Sequence, residues 1–325
     1  MDFEKEVLSG LKIHRDGVIS RGVFVRLLAF CLLTAGSAQA MRPGPAGSAC
    51  LIGTGLGGLP EYEENFEKWA DGIEEICRNL DHAKVTRLDG RTLRKDRFLS
   101  AFEEILQEQP DEAWIFLIGH GSHDGRDYKF NIRGPDITGS ELQKFLEARG
   151  PGRTFVVAAT SASGALLDSL GGSGQVVVTA TRSASERQPP LFISFLIEAA
   201  ASPEADSDKD GRVSLAEAFQ FAERRVAQWY EERGRIRTEH AQMKDVSPER
   251  ALASSAFLSQ PPEQAYLNLE AQELARQRSV LEREVEDLRL RKSEYSEGEY
   301  FNLLEKLLVE ISELSERISQ LEGPE

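Results

Sequence analysis

The sequence predicts an α/β domain in three layers, with helices on both faces of a mostly parallel sheet, followed by an antiparallel pair of helices. Three apolar runs support the sheet: residues 113–118, 154–159 and 175–180. Their Val, Ile and Phe residues are continuous rather than alternating with polar ones, which is typical of parallel strands buried on both faces. Amphipathic stretches separate the runs, as in three-layer domains. The pattern therefore predicts one α/β domain over residues 50–258.

The remaining elements are predicted from the same change between apolar runs and helical periodicity. Two more strands are expected, and each precedes an amphipathic helix; a third helix joins two of the central strands. Beyond Pro190, two further helices are expected on either side of an acidic loop. The predicted strands are 50–52 and 84–88, and the predicted helices are 61–79, 95–107 and 140–148.

The N-terminal region resembles an export signal. Arg21 and Arg26 are followed by an apolar run at 27–35 and then by Ala38-Gln39-Ala40, the arrangement of a secretory signal peptide with its cleavage site. The run has about half the length that a spanning helix needs, so a membrane anchor is the less favoured alternative. We therefore expect a protein that is exported, to the periplasm or the outside of the cell.

The segments on either side of this signal differ from it in composition. Residues 1–20 form a polar extension that signal peptides lack, so translation is expected to start near Val18 or Val23. Together, residues 1–40 comprise the extension and the signal. Residues 41–49 are rich in Pro and Gly and are predicted to be a linker.

Charge and cysteine content exclude several classes of protein. The formal net charge is -15 and no cluster of Lys and Arg stands out, so a nucleic-acid partner is not expected. The three cysteines, Cys31, Cys50 and Cys77, match no paired zinc-ligand spacing. In an exported protein Cys50 and Cys77 either form a disulfide or remain two buried thiols, and the sequence leaves both alternatives open.

The C-terminal region, residues 259–325, is predicted to be a coiled-coil helical hairpin. Gln260-Pro261-Pro262 ends the α/β domain, and a turn is expected near Gly298. Such apolar seams serve packing, self-association or binding of a partner protein. Two series of seam positions recur every seven residues, one in each helix: Leu267, Leu274, Leu281 and Leu288, and then Leu304, Ile311 and Ile318 with Leu307, Leu314 and Leu321 interleaved.

A glycine-rich segment follows the first predicted strand. Residues Gly53 to Gly58 satisfy the G-x-G-x-x-G pattern of dinucleotide-binding folds. The strand before it is short, Pro60 interrupts the entry to the helix, and no acidic residue lies at the distance that would hold a ribose. No nucleotide is expected, and the glycines are interpreted as a tight turn.

Two small-residue turns follow neighbouring central strands. One strand ends in Gly119-His120-Gly121-Ser122 and the next in Thr160-Ser161-Ala162-Ser163-Gly164. Ligands of parallel α/β sheets bind at the carboxyl ends of the strands, so these two turns should lie side by side. A histidine facing a hydroxyl there provides the minimum pair of a nucleophile and its base.

With these two turns, the sequence resembles the legumain-like and caspase-like cysteine peptidases over about residues 50–227. That family has one strand ending in His-Gly and a following strand ending in Ala-Cys-x-Ser-Gly. The resemblance implies that His120 is the catalytic histidine, that Gly121 supplies an oxyanion amide, and that Ser161 occupies the position of the nucleophilic cysteine. It implies a peptide or protein substrate.

The serine leaves two functions open. A serine hydroxyl stays protonated and needs a well-oriented base, whereas a thiol ionises readily beside a histidine. The chain is therefore either a peptidase that uses a His120/Ser161 dyad or a pseudo-peptidase that binds through its cleft and its C-terminal helices. Asp124 and Asp127 are candidates for the group that orients His120, or are solvated loop residues.

The turn after the strand 175–180 is where the family builds its specificity pocket. The resemblance therefore implies that Ser183 and Glu186 contact the substrate, with Glu186 selecting a basic residue. An ordinary solvated loop charge is the alternative for Glu186. His240 has no partner that the sequence identifies, and we expect it to be structural.

The acidic loop at 206–217 matches the twelve-residue EF-hand loop at positions one, three, five, six and twelve. Alternate carboxylates, a turn-forming glycine and a terminal glutamate are what a hard cation such as Ca²⁺ requires. Acidic N-capping of a helix that begins near Ser214 is the alternative. The residues assigned to the site are Asp206, Asp208, Asp210, Arg212 and Glu217.

Overall fold

The computed structural model describes residues 47–80, 82–150, 152–247, 251–259 and 268–322. The predicted signal peptide and most of the predicted linker lie outside these ranges. Within them, no helix is both long enough and apolar enough to cross a membrane.

The main sheet has six strands: β1 (Ser48–Thr54), β2 (Lys84–Leu88), β3 (Glu112–Gly119), β7 (Arg153–Thr160), β8 (Gln175–Thr179) and β9 (Gln242–Asp245). They lie in the order β2-β1-β3-β7-β8-β9, and all are parallel except the edge strand β9. The predicted α/β class with a mostly parallel sheet is therefore confirmed.

Five helices accompany this sheet. They are α1 (Pro60–Arg78), α2 (Lys95–Glu108), α3 (Gly139–Arg149), α4 (Phe192–Ala200) and α5 (Leu215–Glu232). Buried side chains of α1, α4 and α5 form one core with the sheet, and those of α2 and α3 form a second core. The two cores give the domain its three layers, because each face of the sheet is apolar and must be covered.

Strand residues divide between the two cores by simple alternation. Trp114, Phe116 and Ile118 of β3 face the α1 core, together with Phe155 and Val157 of β7. The intervening residues of both strands face the α2 core. Because the two strands are in register, with Gly119 beside Thr160, the residues that follow them also meet.

The first helix begins at a proline. Pro60 occupies the first turn of α1, and the acidic residues Glu61 and Glu63 follow it there. Proline suits this position because its missing N–H would have no helical partner, and acidic side chains favour the positive end of the helix dipole. The expectation that Pro60 interrupts the entry to the helix was wrong, since the helix begins at Pro60.

Some elements were absent from the prediction. A small antiparallel sheet formed by β4 (Gly121–His123), β5 (Tyr128–Phe130) and β6 (Ile137–Thr138) follows β3. Strand β9 was also missed. In addition, β1 begins at Ser48, two residues inside the predicted linker.

The cysteine alternatives have a structural answer. Cys50 in β1 and Cys77 in α1 are both buried, and both are free thiols. A hydrogen bond with the Cys77 side chain, together with burial, raises the pKa of the Cys50 thiol well above its usual value. The structure therefore has two neighbouring free thiols in the α1 core.

Two long helices complete the described chain, α6 (Leu269–Leu290) and α7 (Glu297–Glu322). Ala271, Leu274 and Ala275 form a small buried cluster with Ile318, and Leu314 and Leu321 pack against it. The connection between the helices lies at 291–296. Gly298, where a turn was expected, is the second residue of α7.

Candidate functional site

The predicted catalytic residues lie at the carboxyl edge of the main sheet. His120 directly follows β3 and Ser161 directly follows β7, one residue beyond the paired residues Gly119 and Thr160. Continued alternation places both on the α1 face of the sheet. The structure thus brings the two turns together, as the sequence predicted.

His120 is half-buried, and its ring makes one polar contact and two aromatic contacts. Its Nε2 lies 3.1 Å from the carbonyl oxygen of Gly57. The rings of Tyr62 and Phe66 in α1 meet the imidazole edge-on, each with its centroid 5.2 Å away. Because a carbonyl only accepts, Nε2 donates, and a neutral imidazole then carries its lone pair on Nδ1.

The residue that orients His120 was missed by the sequence argument. Gly57 belongs to the glycine-rich segment after β1, and β1 is the direct neighbour of β3. A Cβ atom at Gly57 would lie 2.5 Å from the backbone nitrogen of Glu63, so a side chain does not fit. The sequence could have indicated this contact, because β1 and β3 are parallel and neighbouring parallel strands end at the same edge of a sheet.

Asp124 and Asp127, the predicted orienting groups, have other partners. Oδ1 of Asp124 accepts the amides of Arg126 and Asp127, and its Oδ2 lies 2.9 Å from Nζ of Lys129. The Lys129 ammonium and these amides hold the pKa of Asp124 well below its usual range. Asp127 accepts the amide of Ser140 at the start of α3. The two carboxylates stabilise the β4–β5 turn and the helix, while the Gly57 carbonyl contacts His120.

Ser161 is buried and unpartnered. The residue is 2% exposed, and its Oγ has no hydrogen-bond partner among the described residues. The preceding Thr160 does have one, since its Oγ1 lies 2.5 Å from the buried hydroxyl of Tyr128. A buried hydroxyl without a partner costs free energy, about 1–3 kcal/mol in mutational data.

Gly121 packs directly against the Ser161 turn. A Cβ atom built on Gly121 would collide with the Ser161 carbonyl oxygen and would lie 2.7 Å from the Tyr128 ring. Gly121 also begins β4, where it pairs with Phe130. The need for glycine at this position is therefore explained by close packing of the two turns.

The turn after Ser161 adopts a strained conformation that hydrogen bonds maintain. Ala162 has a φ of +56°, which costs a residue with a Cβ roughly 1–2 kcal/mol. Its amide donates to the Glu186 carbonyl at 2.8 Å. The Gly164 amide donates to Oγ1 of Thr181 at 2.9 Å. The amide that follows the nucleophile position is thus already used within the protein.

Glu186 was predicted to select a basic substrate residue, and its carboxylate is occupied by the protein itself. Oε1 lies 2.6 Å from Nδ1 of His240 and 3.2 Å from Nε of Arg182. Oε2 accepts the amides of Arg182 and His240. His240, for which the sequence offered no partner, therefore binds the loop that follows β8.

Ser183 lies in the same loop. Its Oγ is 2.8 Å from Oγ of Ser185, and its carbonyl oxygen is 3.4 Å from Oγ1 of Thr181. These bonds are local, so Ser183 helps to shape the loop between β8 and α4.

Glu239, next to His240, anchors the other end of this loop. Its Oε2 accepts the amides of Leu191 and Phe192 at 2.8 and 3.1 Å, where α4 begins, and its Oε1 is 3.3 Å from the Tyr230 hydroxyl. Burial raises the pKa of Glu239 to about 7, although these donors oppose the shift. Glu239 and His240 thus hold the segment 182–191, hereafter the 182–191 loop, at two points.

The predicted metal loop has features of both of its interpretations. One carboxylate oxygen each from Asp206, Asp208 and Asp210 lies within 4.8 Å of the others, a spacing and donor set that fit a hard cation. Burial and the neighbouring carboxylates raise the pKa of Asp208.

The remaining two predicted metal residues make other contacts. Glu217 forms a capping box with Ser214 at the start of α5, and its Oε1 accepts the Ser207 amide. The Arg212 guanidinium binds Oδ2 of Asp210 and lies 3.8 Å from the centroid of the Phe257 ring. The N-cap alternative is therefore present alongside a cluster of three aspartates.

Comparisons with known proteins find similarity in structure and none in sequence. A scan against models of known families finds no match, and no curated protein matches. Among solved structures, the crystal structure of the Drosophila initiator caspase Dronc is similar at 10% sequence identity and a TM-score of 0.42, covering 61% of this chain and 78% of that chain. At these values no activity or residue role is transferred from it.

Proposed function

We propose that this chain is a pseudo-peptidase, a catalytically inactive relative of the caspase-like and legumain-like peptidases that binds a peptide or protein at the carboxyl edge of its sheet. The observation that carries the proposal is the state of Ser161, whose hydroxyl is buried and has no hydrogen-bond partner among the described residues. A nucleophile must reach both a base and a substrate carbonyl.

The chemistry of serine supports this choice over hydrolysis. A hydroxyl attacks only when a base within hydrogen-bonding reach removes its proton. The Ser161 Oγ has no hydrogen-bond partner among the described residues, His120 included. The Ala162 amide, which would be a candidate oxyanion donor, donates to Glu186 instead. Hydrolysis would therefore require Ser161 to gain a base, and the Ala162 amide would have to leave the Glu186 carbonyl before it could stabilise an oxyanion.

The binding role rests on the same sheet edge. The half-buried His120, the adjoining Gly121 and the loop that carries Ser183 surround the ends of β3, β7 and β8. Ligands of parallel α/β domains occupy this position. With a net charge of -15, the expected ligand is a polypeptide and not a nucleic acid.

Labelling with a fluorophosphonate tests the proposal. The full chain, the Ser161→Ala variant and a serine peptidase as positive control are treated with the same probe, and each is then incubated with a mixed peptide library. We expect the positive control alone to be labelled and to cleave peptides. Labelling of the wild-type chain that disappears in Ser161→Ala and in His120→Ala would establish a working dyad and overturn the proposal.

Ca²⁺ binding by the 206–217 loop is proposed as a structural feature of the same domain. Three aspartate carboxylates converge there, and the loop connects α4 with α5. A bound cation would offset the repulsion among these carboxylates. Asp206, Asp208 and Asp210 would hold it, while Glu217 would have to exchange its present hydrogen bonds for a metal contact.

Export and the role of the C-terminal helices complete the proposal. Export rests on the signal-like segment ending at Ala40, and fusion of residues 1–49 to a reporter that is active only outside the cytoplasm tests it. We further propose that α6 and α7 form a coiled-coil hairpin that recruits a partner. The cluster of Leu274 and Ile318 supports this role, as does the seven-residue spacing of the leucines.

A further inference from the structure

Helix α7 carries a second apolar surface beside the one that packs on α6. Phe301, Leu308 and Val309 are 53%, 47% and 50% exposed. Leu304, which the seven-residue spacing assigned to the seam between the helices, is absent from the cluster that packs on α6 and lines with them a shallow groove of about 430 Å³. At 100° per residue, these side chains are centred about 130° around the helix from Leu314, Ile318 and Leu321, which pack on α6. We call Phe301, Leu304, Leu308 and Val309 the α7 stripe.

The charges around the α7 stripe have one sign. Glu305 lines the groove itself, and Glu297 and Glu316 lie within about 60° of its centre at either end. All three are exposed. Helix α7 has seven acidic residues and only two basic ones.

Those two basic residues do not neutralise the stripe. Lys306 and Arg317 lie roughly 150° from its centre, on the far side of the helix. Each is near another acid: Lys306 Nζ is 3.9 Å from Glu310, and a guanidinium nitrogen of Arg317 is 3.8 Å from Glu270. The carboxylates beside the stripe are therefore uncompensated within the described part of α7, residues 297–321.

We infer that the α7 stripe is a docking surface for an amphipathic helix of another protein whose apolar face is flanked by Lys and Arg. Apolar residues at i, i+3, i+7 and i+8 share one face of a helix, the kind of face against which the apolar face of a second amphipathic helix packs. Charge selects the partner. A second copy of α7 would oppose Glu305 with another acidic residue, and an anionic membrane would be repelled by the same carboxylates.

This inference deepens the proposal that the C-terminal helices recruit a partner, and it is independent of the pseudo-peptidase cleft. A labelled 18-residue model helix with leucines at the matching positions and lysines beside them is the probe, and the same peptide with glutamates in place of lysines is its control. Fluorescence anisotropy measures binding to the full chain at low and at moderate salt. Ser161→Ala, which leaves α7 intact, should bind both peptides as the wild type does, whatever the outcome at the cleft.

We expect the basic peptide to bind at least tenfold more tightly than the acidic one and to weaken as salt rises. Phe301→Asp and Leu308→Asp should each reduce its affinity at least tenfold, and Glu305→Lys should reverse the preference. Ile236→Asp is the matched control, because Ile236 is 88% exposed outside the C-terminal helices. Circular dichroism verifies that each variant is folded.

Two results would overturn the inference. One is equal binding of the basic and acidic peptides, or binding that Phe301→Asp leaves unchanged. The other is a concentration-dependent dimer in sedimentation that Phe301→Asp abolishes, since a second copy would then occupy the stripe.

Discussion

Nδ1 of His240 lies 2.6 Å from Oε1 of Glu186, although 54 residues separate them in the sequence. The backbone carbonyl of Glu186 in turn accepts the Ala162 amide, so this pair supports the turn that contains Ser161. The same loop is fixed at its far end by Glu239. Glu239 and His240, which lie just before the edge strand β9, therefore help to shape the candidate site.

Loss of the Glu186 charge should destabilise the domain. Glu186→Gln keeps one acceptor oxygen and replaces the other by an NH2 group, in a side chain that is 9% exposed. Either the side chains of His240 and Arg182 or the backbone amides of these two residues then lose their acceptor. We expect a loss of about 1–3 kcal/mol, as for other buried hydrogen-bonded charges. Urea unfolding at neutral pH measures it. Glu198→Gln is the matched control: Glu198 pairs with Arg225 at the surface, so its loss should stay below about 1 kcal/mol. Equal effects would show that the Glu186 pair has no special role.

Stability should depend on the ionisation of Glu239. Its pKa rises from the usual 4.5 to about 7 on folding. Between these two pH values the folded protein retains a proton on Glu239 that the unfolded chain has released. The contribution to stability is therefore complete below pH 4.5 and is lost as the pH rises through about 7. The size of the change is at most about 3 kcal/mol.

Urea unfolding at several pH values between 5 and 8 measures this effect. Tyr230 and Arg237 face Glu239, and the Glu186–His240 pair is adjacent, so the wild type alone does not isolate it. The comparison is with Glu239→Gln, which keeps an acceptor for the Leu191 amide and cannot titrate. As the pH rises from 5 to 8, the wild type should lose stability relative to Glu239→Gln. A pH-independent difference would contradict the assignment.

Calcium should raise the melting temperature if the aspartate cluster binds it. Binding to the folded state alone stabilises by about 3 kcal/mol at a hundredfold excess of ligand over Kd. The measurement is thermal unfolding with Ca²⁺ and with a chelator. Asp208→Asn should abolish the difference, whereas Asp124→Asn, which alters another acidic turn, should leave it intact. Identical melting temperatures with and without Ca²⁺ in the wild type would leave helix capping as the role of the loop.

A methyl group at Gly121 should be poorly tolerated. Its Cβ would collide with the Ser161 carbonyl oxygen, a backbone atom that can move only with the whole turn. Gly121→Ala is expected to cost about 1–3 kcal/mol, in the range for overpacked sites. Gly298→Ala is the control, because nothing lies within 4 Å of its Cβ position in α7 and alanine favours helix. Similar stability of the two variants in urea would contradict the packing of Gly121 described above.

The sequence predicted correctly those strands whose burial on both faces makes them continuously apolar. Strands β3, β7 and β8 are continuous apolar runs because both of their faces are covered, and their ends located His120 and Ser161 correctly. It failed for β9, whose sequence Gln-Met-Lys-Asp has no apolar pattern. An edge strand needs only backbone pairing with one neighbour, so its side chains carry little signal.

By itself the sequence determined the order along the chain of the five parallel strands and of the helices, and it placed two chemically distinctive turns at one edge of the sheet. Hydrophobic periodicity is local, and the ends of parallel strands coincide. Only the tertiary structure decided the partners of those turns. It placed the Gly57 carbonyl on His120, joined Glu186 to His240, and buried the Ser161 hydroxyl with no hydrogen-bond partner in the described ranges. Hydrogen bonds depend on tenths of an ångström between groups that are far apart in the chain, and residue identity does not encode those distances.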